Sequence, residues 1–563
     1  MGKFSRKTIL LLLLTLVLIT VILRYPLVQH ERYQTDSYFI HYLAKSIGDE
    51  GFARWTFHPL SYFGYYPVSY PTGMPLVLAE LSELTGLSVE VSVLVVDMMF
   101  ASLFALVVFC LSREFLERPE YALLAAFFVS VGPRFVDTTY WDGSARGPVV
   151  VLMTLLVLVA LRASSTHQSR LLVLAGLICF GCVSVHHMTV LIVLYGSGFV
   201  LAVIGLRYVR MLKGTRIRHL AVASFLGACT LVALSVMSYF GLLAVAISRT
   251  FGEQGFFSIE SALLSTLLNM GVSYTHQIGF VLLLSVVGLF TVLRRPVFTV
   301  RALFPISVIL VSIPVLGSSL YVSMLLAPFV AILGLVYVRE ALRNGQRKKF
   351  VMSILGVLVI ASLVFPIWSS QRWNDFESSP GATVEVQSQV FNDATYLLIN
   401  APQRYSISNA DTITLQFQAF TDTYFLRSGI AQATNGDMTA GDLRGNITPS
   451  RLTFPWNVYV WFDYKKEYDI DNMLMGTMIL GSAFVNGSGT AKEWFSSHPK
   501  MFVVVDNNLP TQYSNAYGIT SARLPTELRN AQTSGAKPDP LPSYLVYQSE
   551  RVTIYILNMP TTR

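Results

Sequence analysis

Charge is scarce in this 563-residue sequence. Asp, Glu, Lys and Arg make up 13% of it, against about 25% in an ordinary soluble domain, while 53% is hydrophobic and the mean hydropathy is +0.53. That scarcity excludes a soluble globular protein. Cysteine is scarcer still. Cys110, Cys179, Cys182 and Cys229 all fall inside apolar runs and none lies after residue 368, which excludes a disulfide framework. Cys179 and Cys182 form a C-x-x-C without a second ligand pair, so they read as buried structural thiols rather than zinc ligands. No internal repeat or low-complexity tract is present.

The formal net charge is +8, but it divides into +11 over residues 1–368 and −3 over the remainder. The basic residues alternate with apolar runs and form neither one face nor a tail. Nucleic acid is therefore excluded as a partner, and membrane lipids are implied. Thr8 to Leu23 follows Lys3, Arg6 and Lys7. Arg24, Tyr25 and Pro26 are too bulky for a signal-peptidase site, so the segment reads as an uncleaved first span with a cytoplasmic N-terminus. Further apolar runs lie at about 89–112, 121–133, 147–161, 171–206, 220–247, 276–293, 302–338 and 350–368. A bilayer core takes roughly 20 helical residues, so 171–206 and 302–338 are overlong. Both are flanked by basic loops on each side, which demands an even number of crossings and predicts hinges near His186-His187 and Pro314 to Gly317.

The resulting fold class is a polytopic α-helical membrane protein of about eleven spans, with a C-terminal external mixed α/β domain. It divides into a transmembrane part, 1–368, with external loops 24–88, 134–146 and 248–275, and a soluble domain, 369–563. Twenty Lys and Arg then fall in cytoplasmic segments against seven in external loops, which places the soluble domain outside a multi-pass cell-membrane protein. In that domain MFVVVD at 501–506 and VTIYIL at 552–557 read as strands. The sequons at Asn446 and Asn486 suit an extracytoplasmic location.

Acidic residues gather on the external side. Asp36 precedes Tyr38, Phe39, Tyr42 and Leu43 at helical spacing, which predicts an amphipathic helix lying at the outer interface. Asp142 sits in the second external loop. Two carboxylates from separate loops are what a hard divalent cation, Mn²⁺ or Mg²⁺, requires; the alternative is a pair of solvated loop acids. His186 and His187 at the first hinge either contact a phosphate or cap a helical hairpin. Arg134 and Arg146 flank the second-loop acids, either as donor-phosphate cations or as partners of Asp137 and Asp142. Asp97 lies inside the second span, where an ionisable group needs a partner that the sequence does not name.

The order of these features, an aspartate with aromatics after span one, a helix, then the Tyr- and Pro-rich stretch His58 to Leu81, resembles the oligosaccharyltransferase catalytic subunit (STT3/AglB/PglB) family of GT-C glycosyltransferases. Tyr140-Trp141-Asp142-Gly143-Ser144 is similar to that family's second-loop motif, with Ser144 where the family has its second acid. At the place of the family's phosphate-binding arginine the chain has Leu320 or Tyr321. Trp461-Phe462-Asp463-Tyr464-Lys465 resembles the Trp-Trp-Asp-Tyr-Gly motif that reads an acceptor sequon, matching three of five positions.

The resemblance implies catalytic roles for Asp36, Asp142 and Glu253, metal ligation by Asp36 and Asp142, and acceptor binding by Trp461, Asp463 and Tyr464. It implies transfer of a glycan from a polyprenyl or dolichyl (pyro)phosphate carrier to a protein or glycan acceptor on the external face. The alternatives are a single-sugar transferase using a lipid-monophosphate donor, and a non-catalytic glycan-binding or transport relative.

Overall fold

The computed structural model describes residues 4–26, 35–51, 71–166, 168–211, 274–294, 299–316, 321–343 and 348–377. In the C-terminal part it describes 405–408, 424–425, 500–506, 543–549 and 552–558. Asp36 and His187 are described by their backbone alone.

The chain opens with α1 (Arg6–Ile22), whose N-cap Ser5 accepts the Thr8 N–H at 3.1 Å. α2 (Thr35–Glu50) and α3 (Gly73–Thr85) follow, and Gly86, at φ 71°, ends α3 in the left-handed region that glycine enters without cost. α4 (Val89–Phe115) starts from Ser88, whose hydroxyl accepts the Val91 N–H. The run at 121–133 gives two pieces: α5 (Pro119–Ser130), only 12 residues long, and α6 (Pro133–Asp137). Pro133 has no amide hydrogen to continue the ladder, so the helix breaks at Val131-Gly132.

α7 (Arg146–Thr166) and α8 (Ser169–Val185) come next. The first overlong run breaks at His186, where a 3₁₀ turn over His187–Leu191 leads into α9 (Ile192–Met211). α10 (Val281–Leu293), α11 (Val300–Leu316) and α12 (Tyr321–Arg343) follow, so the second overlong run carries two described helices, one ending at Leu316 and the next starting at Tyr321. α13 (Lys348–Glu377) continues beyond residue 368. Among the described residues, four helical segments are long and apolar enough to cross a membrane: α4, α7, Val322–Arg343 in α12 and Lys348–Pro366 in α13.

α12 is the central helix, packed against α10, α11, α5 and α13. Its crossing with α10 rests on small residues. A Cβ on Gly288 would fall 1.9 Å from the Leu333 carbonyl oxygen, so the two backbones touch. α1, α8 and α13 turn apolar faces outward (Leu11, Leu14 and Leu18; Leu172, Leu177 and Phe180; Val357, Ile360 and Val364), which suits contact with lipid chains.

Polar contacts define two ends of this bundle. At one, Glu114 near the end of α4 pairs with Arg162 and Arg301, Glu117 pairs with Arg339, and the Phe4 N–H donates to Glu120 Oε1 at 3.1 Å. At the other, the start of α4 meets the second loop through the Trp141 indole N–H, which donates to the Glu90 carbonyl at 2.9 Å.

α2 departs from the surface helix predicted for it. Ser37, Tyr38, Ile40, His41, Tyr42, Leu43, Ala44 and Ser46 are all buried, and the helix packs against α3 and α4. From Ser37 to Leu43 the described side chains are all buried, so this part of the helix lies inside the protein, and polar residues bond there: the Ser46 hydroxyl donates to the Leu43 carbonyl at 2.8 Å.

In the C-terminal part, β1 (Tyr405–Ser408), β2 (Tyr424–Phe425), β3 (Lys500–Asp506), β4 (Ser543–Gln548) and β5 (Val552–Asn558) form one sheet in the order β2-β1-β3-β5-β4. β1 runs parallel to both neighbours, and β3, β5 and β4 are antiparallel with Val503 opposite Tyr555. The two predicted strands are thus paired with each other.

Candidate active site

The second loop between α6 and α7 is held by side chains at the amides of Asp142, Gly143, Ser144 and Arg146. The Asp142 N–H donates to Asp97 Oδ2 at 2.8 Å, and the Gly143 N–H donates to Ser37 Oγ at 2.7 Å. The Ser144 N–H donates to Asp142 Oδ1 at 3.1 Å, and the Arg146 N–H to Ser144 Oγ at 3.4 Å. These contacts tie the turn to α4, to α2 and to itself, and the Asp142–Ser144 bond is an Asx turn. Trp141 stands at φ 52°, the left-handed region, which costs a bulky residue about 1–2 kcal/mol and persists only where the surroundings over-determine it. The indole bond to Glu90 and the Asp97 bond one residue later supply that constraint.

Asp142 is fully buried. Gly143 allows the approach of α2: a Cβ there would lie 3.1 Å from Ser37 Oγ, 3.3 Å from its carbonyl oxygen and 3.4 Å from its Cα. Asp36 is the residue before Ser37, in the first turn of α2. The backbones that carry Asp36 and Asp142 are therefore brought together.

Beneath the turn sits Arg24, just past the end of α1 and fully buried. Its Nε donates to Thr139 Oγ1 at 2.6 Å and its Nη1 to the Thr20 carbonyl at 3.0 Å, with Nη2 facing the carbonyls of Ser130 and Phe135 at 3.4 and 3.5 Å. The guanidinium also lies over the Phe135 ring, 5.1 Å from its centre. Burial pulls the Arg24 pKa down to about 9, and the charge of Asp97 works in the opposite direction. Arg24 thus stays a cation at neutral pH and serves as countercharge to Asp97, a partner that sequence reasoning did not find.

The other predicted residues fall as follows. His186 ends α8, buried, with Nδ1 accepting the Met188 N–H at 2.9 Å, and His187 opens the 3₁₀ turn. α8 ends against α3, where a Cβ on Gly73 would come within 2.7 Å of the Ser184 carbonyl oxygen. Since α3 packs on α2, the His186 hinge belongs to the same end of the bundle as Asp142. Arg134 is paired with Asp137 at 2.9 Å. Arg146 begins α7, half-buried, two residues after Ser144. Glu253, Trp461, Asp463 and Tyr464 lie outside the described residues, as does the run at 220–247. Among the described residues no group of three His, Cys, Asp or Glu is placed to hold a metal.

A polytopic helical part with carboxylates on the loops at one end, followed by a sheet-containing domain, is the architecture of the GT-C membrane glycosyltransferases, the class that draws sugar from polyprenyl-phosphate carriers. Two solved structures from one archaeon share the fold. The Archaeoglobus fulgidus oligosaccharyltransferase in complex with Zn and sulfate aligns with a TM-score of 0.54 at 12% identity, over 90% of this chain and 69% of that one. The archaeal oligosaccharyltransferase AglB from the same organism, in complex with an inhibitory peptide and a dolichol-phosphate, aligns at 0.51 and 11%, over 94% and 73%. ArnT from Cupriavidus metallidurans, bound to undecaprenyl phosphate, aligns at 0.45 and 13%, over 98% of both chains. No curated protein sequence matches the chain. The sequence profile described as Oligosaccharyl transferase STT3, N-terminal, matches residues 9–373. The chain belongs to the STT3 family, and it is an enzyme, a membrane glycosyltransferase.

Proposed function

We propose that the chain transfers a glycan from a polyprenyl or dolichyl (pyro)phosphate carrier to an asparagine of an acceptor protein, on the extracytoplasmic face. The observation that carries this reading is the junction of α2 with the second loop, where the Gly143 N–H meets Ser37 and sets the Asp36 backbone beside that of buried Asp142. The donor set fits a hard divalent cation: carboxylate oxygens suit Mn²⁺ or Mg²⁺, with Asp36 and Asp142 as the residues that would hold it. When bound, such an ion neutralises charge on a departing phosphate.

The residues of the chain do the rest by positioning, which is most of what an activated donor requires. Ser144 and Asp97 fix the turn that presents Asp142. His186, His187 and Arg146 stand as groups for the donor phosphate. Arg134, already paired with Asp137, contributes by holding α6 at the rim. Glu253 is assigned a catalytic role, and Trp461, Asp463 and Tyr464 the acceptor, from the family resemblance of their sequence positions. The dolichol-phosphate and peptide bound to the archaeal enzyme support both halves of this reading. The basic end of the bundle, with the N-terminus, faces the cytoplasm, and the C-terminal domain faces outward.

A second reading, transfer of a single sugar from a lipid monophosphate to a glycan or lipid, is favoured by Ser144 in place of an acid and Lys465 in place of glycine. Sugar release from lipid-linked donor by purified protein, with Mn²⁺ or with chelator, tests the first. Chelator is expected to stop release, and activity unchanged by chelator removes the metal. Release that needs no sequon peptide removes the asparagine acceptor and leaves the second reading. Asp142→Asn keeps the oxygen that accepts the Ser144 N–H but loses the charge. It is expected to cut turnover roughly 100-fold or more with an unchanged melting temperature.

A further inference from the structure

Asp97 is an acid inside a transmembrane helix, eight residues past the first residue of α4, and fully buried. An ionisable group there is costly and persists only with dedicated partners. It has two. The guanidinium of Arg24 supplies the countercharge from the end of α1. The second partner is the backbone N–H of Asp142, 45 positions along the chain, at 2.8 Å. The bond falls at the peptide that leads into Asp142, between strained Trp141 and the Asx turn to Ser144.

The geometry points to Asp97 as the positioning residue of the site: it orients the Asp142 peptide from inside the membrane and so sets the carboxylate for its cation. This inference rests on the reading of Asp142 as a metal ligand. Buried acids that touch no substrate earn their place through the ligand they orient, and loss of such a partner typically weakens metal binding 10–100-fold. Arg24 completes the arrangement by holding Thr139 in place at the base of the same turn.

The test is Mn²⁺ binding to the purified full-length protein, counted as free Mn²⁺ by electron paramagnetic resonance, alongside the melting temperature. Asp97→Leu, of similar volume without an acceptor, is expected to raise the Mn²⁺ Kd roughly 10–100-fold. Asp97→Asn, which retains an oxygen able to accept the Asp142 N–H, is expected to bind at least several-fold tighter than Asp97→Leu. If Asp97→Leu does not fold, Arg24→Met/Asp97→Leu removes both charges and carries the same comparison. A wild-type Kd in the leucine variant, or an asparagine variant no better than leucine, overturns the positioning role while leaving the metal reading intact. Failure of the wild-type protein to bind Mn²⁺ overturns the metal reading and this inference with it.

Discussion

Three glycines give one substitution three different outcomes, and Gly143→Ala is the informative one. Its Cβ would sit 3.1–3.4 Å from three atoms of Ser37, against the 3.5–4.0 Å of an ordinary carbon contact. Two of those atoms are backbone, so α2 rather than a rotamer must yield, by a few tenths of an ångström. Overpacking of this kind costs about 1–3 kcal/mol. More telling is the displacement itself. A misplacement of about 1 Å costs up to 100-fold in rate, so 0.3–0.5 Å between α2 and the second loop corresponds to roughly 4–10-fold.

Gly176→Ala, in outward-facing α8 with nothing within 4 Å of the added carbon, is expected to be neutral or to stabilise by up to about 1 kcal/mol. Gly288→Ala, whose Cβ would collide with the Leu333 carbonyl, is expected to prevent folding of the α10–α12 pair. The assay is sugar release from lipid-linked donor with saturating Mn²⁺, read beside the melting temperature. Gly143→Ala with wild-type turnover would refute the claim that the α2–loop junction sets the geometry of the site.

Arg24→Met removes two close charge-assisted bonds and the countercharge of Asp97, an expected loss of about 3–5 kcal/mol. Arg24→Met/Asp97→Asn should recover at least about 1 kcal/mol of the summed single losses, and strict additivity would show that the two groups are uncoupled. At the opposite end, Glu114→Gln breaks pairs with Arg162 and Arg301 that are half-exposed, so less than about 1 kcal/mol and no change in turnover is expected. A larger fall in melting temperature would mean that this ion network acts as a unit.

Much of the fold was legible because apolar length and flanking charge are strong signals. The break at His186 follows from basic residues on both sides of a run too long for one crossing, and β3 and β5 from bounded β-branched stretches. The site was legible in part. Asp142 announced itself by its aromatic and glycine neighbours, but its environment did not. Arg24 directly follows an apolar run, where a basic residue ordinarily marks the lipid interface; only the fold shows Thr139 and Phe135 folded back upon it. Asp97 signalled that a partner must exist, yet a partner it has is a backbone amide, which no side-chain pattern encodes. α2 misled for a related reason: Tyr38, Phe39, Tyr42 and Leu43 at helical spacing read as one apolar face of a surface helix, although Ser37, His41 and Ser46 between them are buried too.

The length of α4 bears on the membrane itself. Its 27 residues extend about 40 Å, against roughly 30 Å of hydrocarbon, so a centred α4 projects about 5 Å from each side. Asp97 lies about 12 Å along it from the Asp142 end, some 7 Å deeper than the hydrocarbon boundary. On the proposed function, a leaflet thinned around the protein would bring a donor phosphate closer to the turn that Asp97 anchors. Turnover is then expected to rise in short-chain lipids, and equal turnover in thin and thick bilayers would refute this.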